Sequence, residues 1–175
     1  VDARQMSLFG GGWTLGSIAA MCAAGAESAT YYETSGLRGV LETDAGSAVP
    51  DKFHSLPGGL YPLYYVFAGL ADFAGGWALA ARSSDPLRVV GLALMQDGRR
   101  RVLLANVTPE PQRVGVAGLQ GAAQVRYLDE RNAEAAALDP AALAATAVAV
   151  QAEADGNVVV ALLPYALAQI DVRTA

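Results

Sequence analysis

Apolar and small residues recur every three or four positions near the start of the chain. Met6, Phe9, Trp13, Ser17, Ala20 and Ala24 hold this spacing, and a period near 3.6 puts them on one face of a helix. The register runs unbroken through three consecutive glycines, Gly10 to Gly12. Asp2 stands where an N-cap belongs, and Gly25 where a C′ glycine ends a helix. One long helix over residues 3–24 fits this pattern. Its interior glycines lose roughly 3 kcal/mol against alanine, a cost borne where another element must approach the backbone closely. A second reading stays open: a short strand over 5–9, a loop through the glycines, and a shorter helix from Thr14. A phosphate cradle is not among the readings, since the run lacks both the G-x-G-x-x-G spacing and a following Lys-Ser/Thr pair.

The stretch from Ser28 to Thr34 is short and β-rich. Alternation puts Ala29, Tyr31 and Glu33 on one side and Thr30, Tyr32 and Thr34 on the other, so the two tyrosines are expected to point apart. Residues 34–60 contain Gly36, Gly39, Gly46, Pro50, Pro57, Gly58 and Gly59 and no convincing long element. A connection of this length is often functional. A helix over 62–73 follows, stopped by Gly75-Gly76.

From Trp77 the period changes from helical to alternating. Strands are expected over 78–83, 88–96, 100–108, 112–117, 123–129, 147–153, 157–163 and 166–172, with a short helix begun by Asp139-Pro140. Asp97-Gly98 and Asp155-Gly156 read as hairpin turns. In the last run Ala168, Ile170 and Val172 alternate with Gln169, Asp171 and Arg173, which suits a sheet with one wet face. Seven or eight strands in this span predict an antiparallel β-sandwich.

Composition narrows the function. With 53% hydrophobic and 17% charged residues among 175, the chain is a folded one with a real core. A net charge of −5 disfavours nucleic acid as a partner. The single basic cluster, Arg99-Arg100-Arg101, follows a turn signal and is expected on an exposed hairpin edge. Cys22 is the sole cysteine and His54 the sole histidine. No disulfide framework, metal centre or cofactor is therefore expected, and Cys22 reads as a buried, inert thiol. No apolar run is long enough to cross a membrane. The first residue is not Met and no signal pattern is visible; a cytoplasmic location is favoured.

A helix-strand-helix unit cannot stand alone, because a parallel strand needs neighbours and cover on both faces. A strand feeding a long loop between two covering helices suits the last βα unit of a (β/α)8 barrel. A whole barrel needs about 250 residues. The expected fold class is therefore α+β. Residues 1–76 form the C-terminal piece of a barrel (helix 7, strand 8, helix 8), and residues 77–175 form an antiparallel β-sandwich expected to have its own core.

Barrel, sandwich and a final Leu163-Pro164-Tyr165-Ala166 hairpin together resemble many glycoside hydrolases. The stretches RQMSLFGGGWTLGS and AGAESATYYETSGLRGVLET resemble the D-apionate lactonase family more closely, most specifically at Thr30-Tyr31-Tyr32-Glu33-Thr34 and Arg38-Gly39-Val40. The resemblance favours the long helix through the glycines. It implies a carbohydrate-processing hydrolase of sugar-acid catabolism, acting on a lactone such as D-apionolactone when the barrel is complete, and inactive as this piece alone.

Glu33, at the C-terminal end of the expected barrel strand, is the candidate catalytic group; an ion pair with Arg38 is the structural alternative. The paired acids of glycosidases with this layout sit on strands four and seven, so Glu33 is not assigned as nucleophile. Arg38 is a candidate for holding a sugar-acid carboxylate. Tyr31, Tyr32 and His54 complete the candidate substrate contacts. Trp13, on the apolar register, is expected in the core, and Asp51 and Lys52 on the surface. The expected partners are a small carbohydrate or sugar-acid substrate, the missing N-terminal barrel portion, and a second copy of the chain. The competing functions are a glycoside hydrolase fragment, a non-catalytic sandwich module, and a small α+β interaction protein. Few aromatics follow Trp77, which disfavours a dedicated sugar-binding module.

Overall fold

The computed structural model describes residues 2–119, 121–153 and 156–173. A 3₁₀ turn, Ala3–Met6, is capped by the Asp2 carboxylate, which accepts from the Arg4 amide at 3.0 Å. Helix α1, Leu8–Ala23, then starts afresh at Ser7, whose hydroxyl accepts from the Gly10 amide. The glycine run is helical, as the register predicts, and Gly25 ends the helix at φ +74. The expected single helix is thus broken once, at Ser7.

The glycines lie where other elements meet α1. A Cβ on Gly11 would stand 2.9 Å from Leu167 Cδ1 and 3.3 Å from Pro62; on Gly12 it would stand 3.3 Å from Ala105 and Val107. On Gly10 it would stand 2.2 Å from the Arg4 carbonyl oxygen, inside any tolerable contact. Packing, not propensity, decides these positions.

Helix α2, Pro62–Ala71, begins with Pro at its first turn and packs on α1. The strands follow: β1 Trp77–Leu79, β2 Val89–Gln96, β3 Arg99–Asn106, β4 Gln112–Val116, β5 Ala122–Leu128, β6 Val148–Gln151, β7 Val158–Leu162 and β8 Leu167–Arg173. Helices α3, Ala133–Leu138, and α4, Pro140–Ala144, fill the connection after β5, with Asp139 capping α4. One sheet has the order β1-β2-β3-β8-β5-β6; β4 and β7 pair separately, and every ladder is antiparallel. The fold class is as expected: α+β, barrel-type helices followed by an antiparallel sandwich.

The middle of the large sheet is buried on both faces. Val102, Val125, Ile170 and Val172 meet Val158, Val160 and Leu162 between the sheets. On the other face Leu92, Leu94, Leu103 and Leu167 pack against Leu15 and Val66 of the helices. The expected wet face is therefore corrected: α1 and α2 cover it. Polar residues of β8 on that side are used rather than solvated. Asp171 accepts from Arg101 Nε at 2.6 Å, and Arg101 Nη1 reaches Asp72 at 2.7 Å and the Gly69 carbonyl at 2.9 Å.

That cluster corrects the reading of the arginine run. β3 lies inside the sheet, between β2 and β8, and Arg101 is buried. Asp97 and Gly98 do form the tight β2–β3 turn, both at positive φ. β6 and β7, which flank the other expected turn, belong to different sheets, and Asp155 of the expected Asp155-Gly156 turn lies outside the described residues. Trp13 and Cys22, expected inside, are exposed, because the buried face of α1 is the glycine, Thr14 and Leu15 face.

Gly10→Ala separates the two forces on α1. Alanine favours an isolated helix by about 1 kcal/mol, yet the clash with Arg4 is expected to leave a net loss of 1–3 kcal/mol, on the order found for overpacking. Urea unfolding of the purified chain measures this; a gain in stability would contradict the packing account.

Candidate functional site

Residues 28–34, read as a strand from sequence, run without a ladder; among the described residues the isolated bridges here are Ser35 with Leu41 and Leu41 with Leu60. A strand is made by its neighbours, and among the described residues none forms a ladder with this segment. Side chains hold the segment instead. Tyr32 places its hydroxyl 2.9 Å from Thr14 Oγ1, whose own proton goes to the Gly10 carbonyl at 2.8 Å. Tyr31 places its hydroxyl 2.8 Å from Ser17 Oγ. Thr14 and Ser17 are one helical turn apart on α1, so both tyrosines turn to the same helix. Their rings lie 5.7 Å apart, and 5.7 and 6.2 Å from Phe67 of α2. The expectation that they point apart is corrected: without a ladder, the period-two rule does not apply.

The chain then turns tightly. Glu33 N–H donates to the Arg38 carbonyl at 2.9 Å, Gly36 N–H to Leu41 and Val40 N–H to Thr34. Gly36 adopts φ +81, and a Cβ on Gly39 would stand 2.5 Å from the Ser35 backbone, so glycine is required there. Gln5 Nε2 ties the Gly39 carbonyl to the N-terminal turn at 2.8 Å. Across the turn Arg38 Nη2 meets Glu33 Oε1 at 2.7 Å, with both side chains largely exposed. A carboxylate and a guanidinium thus stand together at the tip of a braced loop, above the two anchored tyrosines in sequence. His54 is exposed on the far part of the same connection, as are Asp51 and Lys52.

Sequence reasoning missed Glu42. Its side chain is fully buried, accepting from the Thr43 amide at 2.7 Å, from Tyr61 Oη at 2.9 Å and from the Ser55 hydroxyl. Burial pushes its carboxyl up, but the three donors outweigh this and hold it below the usual carboxylate value. The Tyr61 hydroxyl is pushed well above the ordinary phenol range by burial and by this neighbouring carboxylate. Phe53, Tyr61 and Leu63 form a small core around the loop, with Tyr32, Leu37 and Phe67 against it. Glu42 is the polar pin of the 34–60 connection. Its partners lie 13 and 19 residues away in sequence, so no local spacing could reveal them. Among the described residues no group of three or more His, Cys, Asp or Glu is placed to hold a metal ion, and no helix is long and apolar enough to cross a membrane.

A protein of Bacteroides fragilis described as a conserved exported protein is similar over 98% of this chain and 35% of its own, at TM-score 0.58 and 11% identity. A glycoside hydrolase family 30 subfamily 8 xylanase from Clostridium acetobutylicum is similar over 78% of this chain and 31% of its own, at TM-score 0.53 and 12% identity. A GH30 endoxylanase from Clostridium papyrosolvens is similar over 66% and 28%, at TM-score 0.51 and 13% identity. This chain thus shares its fold with parts of these structures, and it spans about a third of their length. No curated protein matches the sequence. Two family models do: the D-apionate lactonase TIM barrel domain over residues 1–75 and the D-apionate lactonase C-terminal immunoglobulin-like domain over residues 86–170. The chain belongs to the D-apionate lactonase family, of which it carries the C-terminal portion.

The Glu42 pin predicts a pH signature. Its folded value lies below the ordinary 4.5, so its contribution is present above that value and lost as pH falls through the folded one. Wild type is expected to be more stable than Glu42→Gln at pH 7, with the gap closing toward pH 3. Paired urea titrations at both pH values check this, and a gap that does not change with pH would contradict the role.

Proposed function

We propose that this chain is the C-terminal part of a carbohydrate-processing hydrolase that opens a sugar-acid lactone such as D-apionolactone, with the N-terminal part of the barrel as its partner. The observation that carries the reading is the Glu33–Arg38 pair on the braced loop at the end of the 28–34 segment, which a complete barrel would take up as its last strand. Barrel enzymes gather their reacting groups on such loops. Opening a lactone needs a base to take a proton from water as its oxygen adds to the carbonyl. The ring oxygen then leaves and is protonated, giving a hydroxy acid. We assign that proton exchange to Glu33, whose carboxylate is exposed at the tip of the loop. Arg38 is suited to pair with the carboxylate that the ring opening creates. Tyr31 and Tyr32 fix the segment that presents them, since each hydroxyl is committed to α1. His54 is a candidate contact from the same connection.

The remaining groups of such a site belong to other strands, so the 175-residue chain alone is expected to turn over neither a sugar-acid lactone nor an aryl glycoside. In the complete enzyme, Glu33→Gln is expected to lower kcat/KM by about 10²–10⁴, the usual worth of a positioned acid or base, with little change in melting temperature. An exposed ion pair contributes only about 0–1 kcal/mol to stability. Wild-type turnover with a lowered melting temperature would assign the pair to loop bracing and sink the catalytic reading. Assaying lactone and aryl glycoside side by side decides which bond is cut.

A further inference from the structure

A pocket of about 140 Å³ lies between α2, α4 and the face of the large sheet that the helices cover. Register sets Leu103 of β3, Gln169 of β8 and Arg126 of β5 in one row across the sheet side of this pocket. Tyr65 and Val66 of α2 and Leu143 of α4 supply largely apolar walls. Arg126 and Asp72 at its border keep some solvent exposure, so the pocket is reached from the surface. No residue of the Glu33–Arg38 loop lines it.

The fold leaves Arg126 incompletely used. Its Nη2 stands 3.6 Å from Asp171 Oδ2, beyond hydrogen-bond reach, and its buried Nε has no acceptor among the described residues. A buried guanidinium nitrogen without a partner costs stability unless something supplies one. Asp171 is already engaged, accepting from Arg101 Nε at 2.6 Å and from Gln169 Nε2 at 2.6 Å. Asp72 accepts from Arg101 Nη1 at 2.7 Å. Two guanidinium groups thus stand with two carboxylates, and the charges bordering the pocket balance. The site wants an acceptor oxygen rather than a further anion, because an anion would meet Asp72 and Asp171 at close range.

We propose that this pocket is a second small-molecule site, separate from the Glu33–Arg38 loop, which takes a compact uncharged ring bearing a carbonyl oxygen. The oxygen accepts from Arg126 Nε, and the ring lies against Val66, Leu103 and Leu143. Three features select this class of ligand. A cavity of roughly this volume admits a six-membered ring. The apolar walls favour a body with few polar atoms, as ligand pockets generally do. The unsatisfied donor asks for an oxygen, and the balanced charges ask that it be neutral. A ligand seated there would touch α2, α4 and the sheet at once. It would therefore fasten the short helix α4 to elements that it otherwise meets only along one side of the pocket, and so raise the melting temperature of the protein.

Methyl NMR spectra of the protein, titrated with cyclohexanone and separately with cyclohexanecarboxylate, test this. Cyclohexanone is expected to shift the methyl signals of Leu103 and Leu143 with a Kd of about 1 mM, reasonable for so few atoms, and the carboxylate to bind more weakly. Arg126→Met is expected to weaken cyclohexanone binding roughly fivefold, the worth of one hydrogen bond. Absence of any shift at these methyls up to about 20 mM, far above that Kd, would leave the pocket to water and overturn the site. Tighter or equal binding of the carboxylate would overturn the neutral ligand. Unchanged affinity in Arg126→Met would overturn the role given to Arg126. The comparison of the two ligands on the wild-type protein decides the matter even where that variant does not fold.

Discussion

The closeness with which α1 approaches its neighbours is the constraint on which the rest depends. Gly11 lets Pro62 of α2 and Leu167 of β8 come up to the helix backbone, Gly12 admits Ala105 and Val107, and Gly16 faces Val90. Side chains there would hold α1 away from the sheet. Held close, α1 buries Leu15 completely against the sheet and turns Thr14 and Ser17 toward the segment after it. Those two hydroxyls then fix Tyr32 and Tyr31, and the tyrosines set where the Glu33–Arg38 turn begins. A helix that is poor by propensity is thus retained for its thinness, and the position of the candidate site follows from it.

A second tie crosses the same boundary electrostatically. Arg101 is buried between β8 and the end of α2, paired with Asp171 and Asp72 and lying over the Phe73 ring at 4.8 Å. Both carboxylates keep some solvent exposure, so the desolvation cost falls mainly on the guanidinium. Its donors to Asp171, Asp72 and the Gly69 carbonyl offset that cost. The helices are therefore fastened to the sheet by polar geometry as well as by apolar burial, and Leu60 and Tyr65 add hydrogen bonds to the Ala137 and Ala136 carbonyls of α3. Burial pushes the Tyr65 hydroxyl up to about 12, so that bond keeps its proton across the ordinary pH range.

What was legible in the sequence was what periodicity and turn chemistry encode. All eight strands, the helix through the glycines and the Asp97-Gly98 turn follow from local pattern. What was not legible depended on neighbours. Arg101 reads as an edge charge until β8 and α2 are seen on either side of it. Trp13 reads as core because an apolar register cannot tell which flank of a helix is covered, and here the small residues lie inward. Tyr31 and Tyr32 obey strand alternation only if strands pair with them. Glu42 carries no local signal, since Ser55 and Tyr61 reach it through the folded loop. The candidate pair Glu33 and Arg38 was visible, being only five residues apart across a turn marked by Gly36 and Gly39.

The central claim is that α1, α2 and the large sheet share one core and so unfold together. Differential scanning calorimetry of the 175-residue chain tests it most directly. The account predicts a single transition whose calorimetric and van't Hoff enthalpies agree. Two resolved transitions, with the helices and their loop melting below an intact sheet, would contradict it.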